Sequence, residues 1–130
     1  MSSPRVLIVD DNVLNMELAR VVLQASEITV DCAADANQAV DQITAFEPDL
    51  ILMDIQMPGM DGLELMRRLK ASPQTQGIVV VAFTAYAMNG DQAKMREAGC
   101  DGYIAKPIDV ATFTATVLSF LGAPQRIRHA

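Results

Sequence analysis

The chain has 130 residues, of which 51% are hydrophobic, and its formal net charge is −6. This length suits a single domain, and the apolar fraction is sufficient for one core without disulfides or a structural metal. The excess of acidic residues argues against direct nucleic-acid binding, which needs clustered Lys and Arg. No apolar stretch approaches the ~20 residues that cross a bilayer, and no secretory leader precedes Val6, so a cytoplasmic protein without membrane insertion is expected.

Short apolar runs rich in β-branched residues recur along the chain and predict strands. There are five of them, at Val6–Val9, Ile28–Val30, Leu50–Met53, Ile78–Phe83 and Gly102–Ala105. Three of these runs are apolar without alternation, as expected for parallel strands that are covered on both faces. The segments between the runs repeat apolar residues at helical spacing, and strands that alternate with helices indicate a parallel sheet.

The helices predicted after each strand are bounded by residue types that start or stop helices. The first is expected to bury one face, formed by Leu14, Leu18, Val21, Val22 and Ala25. Asp35 is a candidate N-cap of the second helix, and Gly99 suits a left-handed cap after the fourth. The fifth helix is predicted from about Asp109 to Leu121, ahead of Gly122 and Pro124.

This alternation predicts an α/β fold with a doubly wound, five-stranded parallel sheet. We expect one domain over residues 1–122 and a short C-terminal tail over residues 123–130, without an output domain. Cys32 and Cys100 have no metal-ligand spacing and are interpreted as small buried apolar residues. Binding sites in open α/β sheets form at the carboxyl ends of the strands, so the residues after each strand are the first candidates for function.

Polar residues follow four of the predicted strands. Asp10 and Asp11 follow the first strand, Asp54 the third, Thr84 the fourth and Lys106 the fifth. Three carboxylates at one edge would repel one another unless a cation lay among them, and oxygen ligands of this kind suit Mg²⁺. A lysine and a hydroxyl opposite that ion would bind an anion. The set therefore fits phosphoryl transfer to an aspartate.

Each of these residues also has a plain structural explanation when it is taken alone. An Asp after a strand often caps the next helix, Thr84 could be an ordinary strand-end hydroxyl, and Lys106 could be a solvated surface charge. Asp54 is harder to explain in this way, because a charge that closes an apolar strand is costly to bury unless it is paired or metal-bound. The combination of these polar residues at one edge of the sheet favours a functional site over separate structural roles.

The motifs at these positions resemble those of two-component response-regulator receiver domains, from Val6 to Leu121. Leu52–Gly62 resembles the family's phosphoacceptor segment, and Asp10–Asn12, Ala82–Ala85 and Tyr103–Pro107 match its other signatures. The resemblance implies a flavodoxin-like (βα)5 fold. It also implies a signalling switch rather than an enzyme, apart from Mg²⁺-dependent phosphotransfer to itself and its own dephosphorylation.

The resemblance implies a role for individual residues around the phosphoryl group. Asp54 would be the phosphoacceptor, and Lys106 and Thr84 would bind the phosphoryl oxygens. Thr84 and Tyr103 would form the switch, with a core aromatic as the alternative for Tyr103. The bond between Lys106 and Pro107 is expected to be cis, a form found almost only before proline.

A metal site is implied by the same resemblance. Asp10, Asp11, Asp54 and the backbone carbonyl of Gln56 would hold Mg²⁺, with Mn²⁺ as an alternative ion. The family's phosphodonors are sensor histidine kinases and histidine phosphotransfer proteins. A downstream protein partner is expected on the face formed by the fourth helix, the fifth strand and the fifth helix.

Finer motifs indicate a subtype within the family. Asp11–Asn15 and Thr84–Asp91 resemble receivers of phosphorelays and hybrid histidine kinases, and also single-domain cell-division regulators. The start at Met1 favours a free-standing regulator, with a receiver excised from a hybrid kinase as the alternative. An aspartyl-phosphate hydrolase of the haloacid dehalogenase type is less favoured, because Gln56 stands where its general acid would be.

Overall fold

The computed structural model of the protein describes residues 4–55, 62–84, 89–106 and 108–129. Strands and helices alternate along these residues, which confirms the predicted order. The strands are β1 Arg5–Val9, β2 Thr29–Ala33, β3 Leu50–Met53, β4 Val79–Thr84 and β5 Gly102–Ala105. The helices are α1 Val13–Gln24, α2 Ala36–Phe46, α3 Gly62–Ala71, α4 Asn89–Ala98 and α5 Phe113–His129.

The strands form one parallel sheet in the order β2-β1-β3-β4-β5. The chain steps from β1 outward to β2 and then returns past β1 to β3, after which it continues in the other direction. The direction of winding therefore reverses between β1 and β3, and a crevice at such a reversal is where open α/β sheets bind ligands. The prediction of a doubly wound sheet is confirmed.

Helices cover both faces of the sheet, which explains why the strands are apolar throughout. In β1, Leu7 and Val9 belong to the core on one face, and Val6 and Ile8 belong to the core on the other. Helices α2, α3 and α4 pack on the first face, and α1 and α5 pack on the second. Because neighbouring residues of a strand point to opposite faces, each core receives every second residue.

Side-chain and backbone caps define the ends of several helices. Asn12 caps α1, with its Oδ1 accepting a hydrogen bond from the Asn15 backbone N–H at 3.1 Å. Asp35 caps α2 in the same way, accepting from the Gln38 N–H at 2.8 Å, as the sequence predicted. Gly99 follows α4 with φ of 97°, which confirms the predicted left-handed stop.

The predicted buried face of α1 is wrong for most of its residues. Leu14, Leu18 and Val21 are 81%, 44% and 55% exposed, and the helix instead buries Ala19 and Leu23. Helix α1 is apolar on more than one side, so periodicity could identify an apolar stripe but not the one that meets the sheet. Packing against the sheet and α5 decides that question.

The predicted end of the last helix is also wrong. Helix α5 spans Phe113–His129 and passes through Gly122 and Pro124 instead of stopping at Leu121. A proline removes one backbone hydrogen bond, and glycine tolerates helical angles, so neither residue makes a stop obligatory. The division into a domain of residues 1–122 and a tail stays a prediction. Among the helices described, none is both long and apolar enough to span a membrane.

Candidate functional site

Buried polar side chains concentrate at the carboxyl edge of the sheet. Within the described part of the chain, the buried polar side chains are those of Asp10, Asp54 and Thr84. They follow or end β1, β3 and β4, and the register aligns the last residues of β1 and β3. Burying such groups is unfavourable unless they are paired, so their collection at one edge indicates a site rather than a core.

An acidic cluster lies at the reversal between β1 and β3. Carboxylate oxygens of Asp10, Asp11 and Asp54 lie within 4.8 Å of one another. Asp10 is fully buried and its Oδ1 accepts a hydrogen bond from the Asn12 N–H at 2.8 Å, whereas Asp11 is exposed. The Asp54 N–H donates to the Val9 carbonyl at 2.8 Å, which extends the ladder between the two strands to the residues that carry these carboxylates.

Lys106 brings a positive charge into this acidic cluster. Its Nζ lies 2.7 Å from Asp10 Oδ2 and 3.3 Å from Asp54 Oδ2, and its side chain is only 11% exposed. The Lys106 backbone N–H donates to the Thr84 carbonyl at 2.9 Å, so the ends of β4 and β5 stay together. One ammonium cannot neutralise three carboxylates, and the cluster keeps an excess of negative charge.

The donor set of the cluster fits a divalent cation. Asp10 Oδ2 is buried, and despite its short distance to Lys106 it receives no well-aligned hydrogen bond from any residue that the structure describes. Buried carboxylate oxygens are normally satisfied by hydrogen bonds, water or metal. Three carboxylates that offer hard oxygen ligands to one point match the preference of Mg²⁺.

Gly62 belongs to the site although its role was missed in the sequence. It is the first residue of α3, and a Cβ atom built on it would lie 2.3 Å from the Asp54 carbonyl oxygen and 2.7 Å from Ile55 Cα. The missing side chain lets α3 begin directly against the backbone of Asp54. A glycine directly before the apolar residue Leu63, where α3 begins, was the available signal, because glycine is a poor helix former.

Thr84 and Tyr103, the predicted switch residues, lie in different environments. Thr84 is 1% exposed at the end of β4, whereas Tyr103 of β5 is 42% exposed. Tyr103 lines a cavity of about 260 Å³ together with Met95 and Cys100. The alternative of a core aromatic at Tyr103 is therefore wrong.

Two predicted features lie outside the described residues. These are the backbone carbonyl of Gln56 as a metal ligand and the cis bond before Pro107. Both stay predictions.

The two cysteines are free thiols in partly buried positions. Cys32 packs against the core that contains α1 and α5, and Cys100 packs against the opposite core. Burial raises the pKa of both thiols, because the charged thiolate loses solvation. Their interpretation as small apolar residues is confirmed, although they are less buried than predicted.

Residues 6–118 match the response regulator receiver domain family. The chain belongs to this family. The polar-differentiation response regulator DivK of Brucella anthropi is 44% identical to this receiver domain over 117 residues, which are 90% of this chain and 95% of that relative. The protein is therefore a receiver domain of two-component signalling, similar to DivK, and the resemblance seen in its motifs is confirmed.

Solved structures share the receiver fold. A CheY-like receiver domain protein of Methanospirillum hungatei superposes with a TM-score of 0.88 at 27% identity, covering 97% of this chain and 99% of that one. The receiver domain of a Pseudomonas aeruginosa sensor histidine kinase gives 0.84 at 30% identity, covering 94% and 100%. That structure holds a magnesium ion in its active-site cleft. The receiver-domain match and the 44% identity to DivK favour a response regulator over the hybrid-kinase and hydrolase alternatives.

Proposed function

We propose that the receiver domain is switched by phosphorylation of Asp54, with the phosphoryl group supplied by a sensor histidine kinase or a histidine phosphotransfer protein. The observation that carries this proposal is the meeting of three carboxylates and one ammonium at the edge of the sheet. Asp54 is the natural acceptor in that group, because it lies in the segment that resembles the family's phosphoacceptor motif and, unlike the fully buried Asp10, it keeps some exposure to solvent while lying 3.3 Å from Lys106 Nζ.

In this transfer, a carboxylate oxygen of Asp54 forms a bond to phosphorus while the bond from phosphorus to the donor histidine nitrogen breaks. The nitrogen keeps the electron pair of the broken bond. Lys106 and the Thr84 hydroxyl would bind the phosphoryl oxygens, whose charge needs fixed donors in the transition state. Asp10, Asp11 and Asp54 would hold Mg²⁺ or Mn²⁺, and the ion would supply further neutralisation of that charge.

The conformational change that follows phosphorylation would involve Thr84 and Tyr103. A phosphoryl group adds charge and three acceptor oxygens, which would draw the Thr84 hydroxyl toward Asp54. The exposed ring of Tyr103 lies beside a cavity, so it has room to change position when the end of β4 moves. A downstream protein would recognise the resulting change on the face formed by α4, β5 and α5. Slow hydrolysis of the aspartyl phosphate would reset the switch.

The exposed stripe on α1 supports a docking surface for the phosphodonor. Leu14, Leu18 and Val21 recur at helical spacing, are exposed, and begin three residues after Asp11 of the acidic cluster. A donor histidine must approach this edge to reach Asp54, so the protein that carries it has to contact the start of α1. An apolar stripe of this kind suits an amphipathic helix of the donor protein.

The acceptor is tested by incubation with acetyl phosphate and Mg²⁺, followed by intact mass. We expect a gain of one phosphoryl group that requires Mg²⁺ and is lost in Asp54→Asn. The matched control is Asp41→Asn, an exposed position on α2, which should label normally. Labelling that persists in Asp54→Asn would show that another residue is the acceptor.

The docking surface is tested by comparing a small donor with a protein donor. We expect Leu18→Lys to slow transfer from a phosphorylated kinase or phosphotransfer protein by at least about tenfold, since a buried interface charge is costly. The same variant should accept phosphate from acetyl phosphate at the normal rate. Equal rates with both donors would exclude α1 as the docking surface.

A further inference from the structure

The ammonium of Lys106 lies over the ring of a buried aromatic residue. The distance from Lys106 Nζ to the centroid of the Phe83 ring is 5.0 Å, within the range at which a cation is attracted to a ring face. Phe83 is 1% exposed and precedes Thr84 at the end of β4. The ammonium therefore has two kinds of partner, the carboxylates of Asp10 and Asp54 and an aromatic face.

The lysine needs such a support because its side chain is long and flexible. The backbone of Lys106 is fixed by the hydrogen bond from its N–H to the Thr84 carbonyl, but this bond does not restrain the four-carbon stem. The Phe83 ring is itself held in place, since it packs against Phe113 of α5 with 6.0 Å between centroids and 32° between planes. A fixed ring therefore adds a restraint on the ammonium beside its ion pairs with Asp10 and Asp54.

We propose that Phe83 is a positioning residue of the phosphorylation site, whose ring face holds the Lys106 ammonium where it meets the phosphoryl oxygens. This inference rests on the proposed function, because it assumes that Lys106 binds the transferring group. An aliphatic side chain could fill the same space in the core, but it would offer the ammonium no electrostatic attraction. The ring therefore contributes to the rate of phosphorylation and not only to packing.

The test is a double-mutant cycle on the rate of phosphorylation by acetyl phosphate at saturating Mg²⁺. Phe83→Leu should lower this rate about fivefold, the factor that corresponds to a cation–π contribution of about 1 kcal/mol. In a Lys106→Ala background, Phe83→Leu should have no further effect, since the partner of the ring is gone.

Phe120→Leu is the control for the loss of an aromatic ring from the same core. Phe120 packs against the core that contains Phe83, and its ring lies beside Gly102 of β5. We expect this variant to lower the free energy of unfolding while changing the phosphorylation rate by less than about twofold. Equal slowing by Phe83→Leu and Phe120→Leu, or a Phe83→Leu effect that persists without Lys106, would overturn the inference.

An isosteric substitution tests the same point without disturbing the core. Difluorophenylalanine incorporated only at position 83 keeps the shape of the ring but weakens its attraction for a cation, so the rate should fall about twofold. The same residue at position 120 should leave the rate unchanged. If Lys106→Ala is phosphorylated at the normal rate, the proposed role of Lys106 fails together with this inference. If Lys106→Ala is slow and position 83 has no effect, only the inference fails.

Discussion

At both the amino edge and the carboxyl edge of the sheet, where the strands begin and end, a lysine is paired with aspartate. The two clusters differ in how completely their charges and hydrogen-bonding atoms are matched. At the amino edge, Lys70 Nζ donates to the Ile78 carbonyl at 2.7 Å, to Asp101 Oδ2 at 2.9 Å and to the Gln76 carbonyl at 3.3 Å. Asp101 Oδ2 also accepts a hydrogen bond from the Val80 N–H at 2.9 Å. In this amino-edge clamp of Lys70 and Asp101, one positive charge meets one negative charge.

The carboxyl-edge cluster of Asp10, Asp11, Asp54 and Lys106 is built in the opposite way. One ammonium is shared among three carboxylates, and a buried oxygen of Asp10 is left without a well-aligned donor among the described residues. A cluster with matched charges and complete hydrogen bonding stabilises the fold. A cluster with excess negative charge is less stable by itself, but it can bind a cation and, together with that cation and the lysine, a phosphoryl group.

The largest contrast should come from removing each lysine. Lys106→Met leaves buried carboxylates unpaired and should lower the free energy of unfolding by about 4 kcal/mol without Mg²⁺. Mg²⁺ should restore much of this loss, because ion binding stabilises the folded state. Lys70→Met should lose about 2 kcal/mol through its hydrogen bonds, whether or not Mg²⁺ is present. The measurement is urea unfolding with and without Mg²⁺, and an identical Mg²⁺ response of both variants would contradict the comparison.

The next effect concerns the close packing that supports the carboxyl edge. Gly62→Ala would push a methyl group against the Asp54 backbone and should lower stability by about 3 kcal/mol, with slower phosphorylation. Gly77→Ala is the matched control, because nothing lies within 4 Å of the added atom. It should change stability by less than about 0.5 kcal/mol. Thermal unfolding together with acetyl phosphate labelling would detect both effects. Equal stability and equal labelling of the two variants would show that Gly62 does not support the site.

Removing an acid should have opposite consequences at the two edges. Asp101→Asn breaks a matched pair and should lower stability by about 1 kcal/mol. Asp54→Asn relieves repulsion while Lys106 keeps Asp10 as its partner, so stability should stay the same or rise by up to about 1 kcal/mol. Urea unfolding in the absence of Mg²⁺ measures both. A loss of stability in Asp54→Asn comparable to that of Asp101→Asn would mean that the cluster is structural.

The smallest effect concerns the thiols, one near each edge. Burial raises the pKa of Cys32 and Cys100 in the folded state, so the folded protein holds these protons more tightly than the unfolded chain. Stability should therefore fall slightly as the pH rises above about 8.5. We expect the change to be smaller in a Cys32→Ala, Cys100→Ala double variant, measured as the unfolding midpoint across that range. An identical pH dependence of the unfolding midpoint in both proteins would show that the thiols are not the cause of the loss of stability.

Much of the fold and of the site followed from local chemistry. Apolar β-branched runs that alternate with helical periods require a parallel sheet, and residues that follow such strands must lie at its carboxyl edge. The convergence of Asp10, Asp11, Asp54, Thr84 and Lys106 could therefore be predicted before any distance was known. Caps such as Asp35 and Gly99 were also predictable, because their function depends on residues within one turn.

The remaining features depend on contacts between segments that are distant in the chain. The strand order, the buried side of α1 and the continuation of α5 beyond Leu121 follow from packing, which leaves no local mark in the sequence. The same holds for the approach of Gly62 to Asp54 and for the Phe83 ring beside Lys106. Residue types and their order determined the chemistry at the edge of the sheet. Only the tertiary structure decided which neighbours hold those groups in place, because close packing is a property of the assembled core.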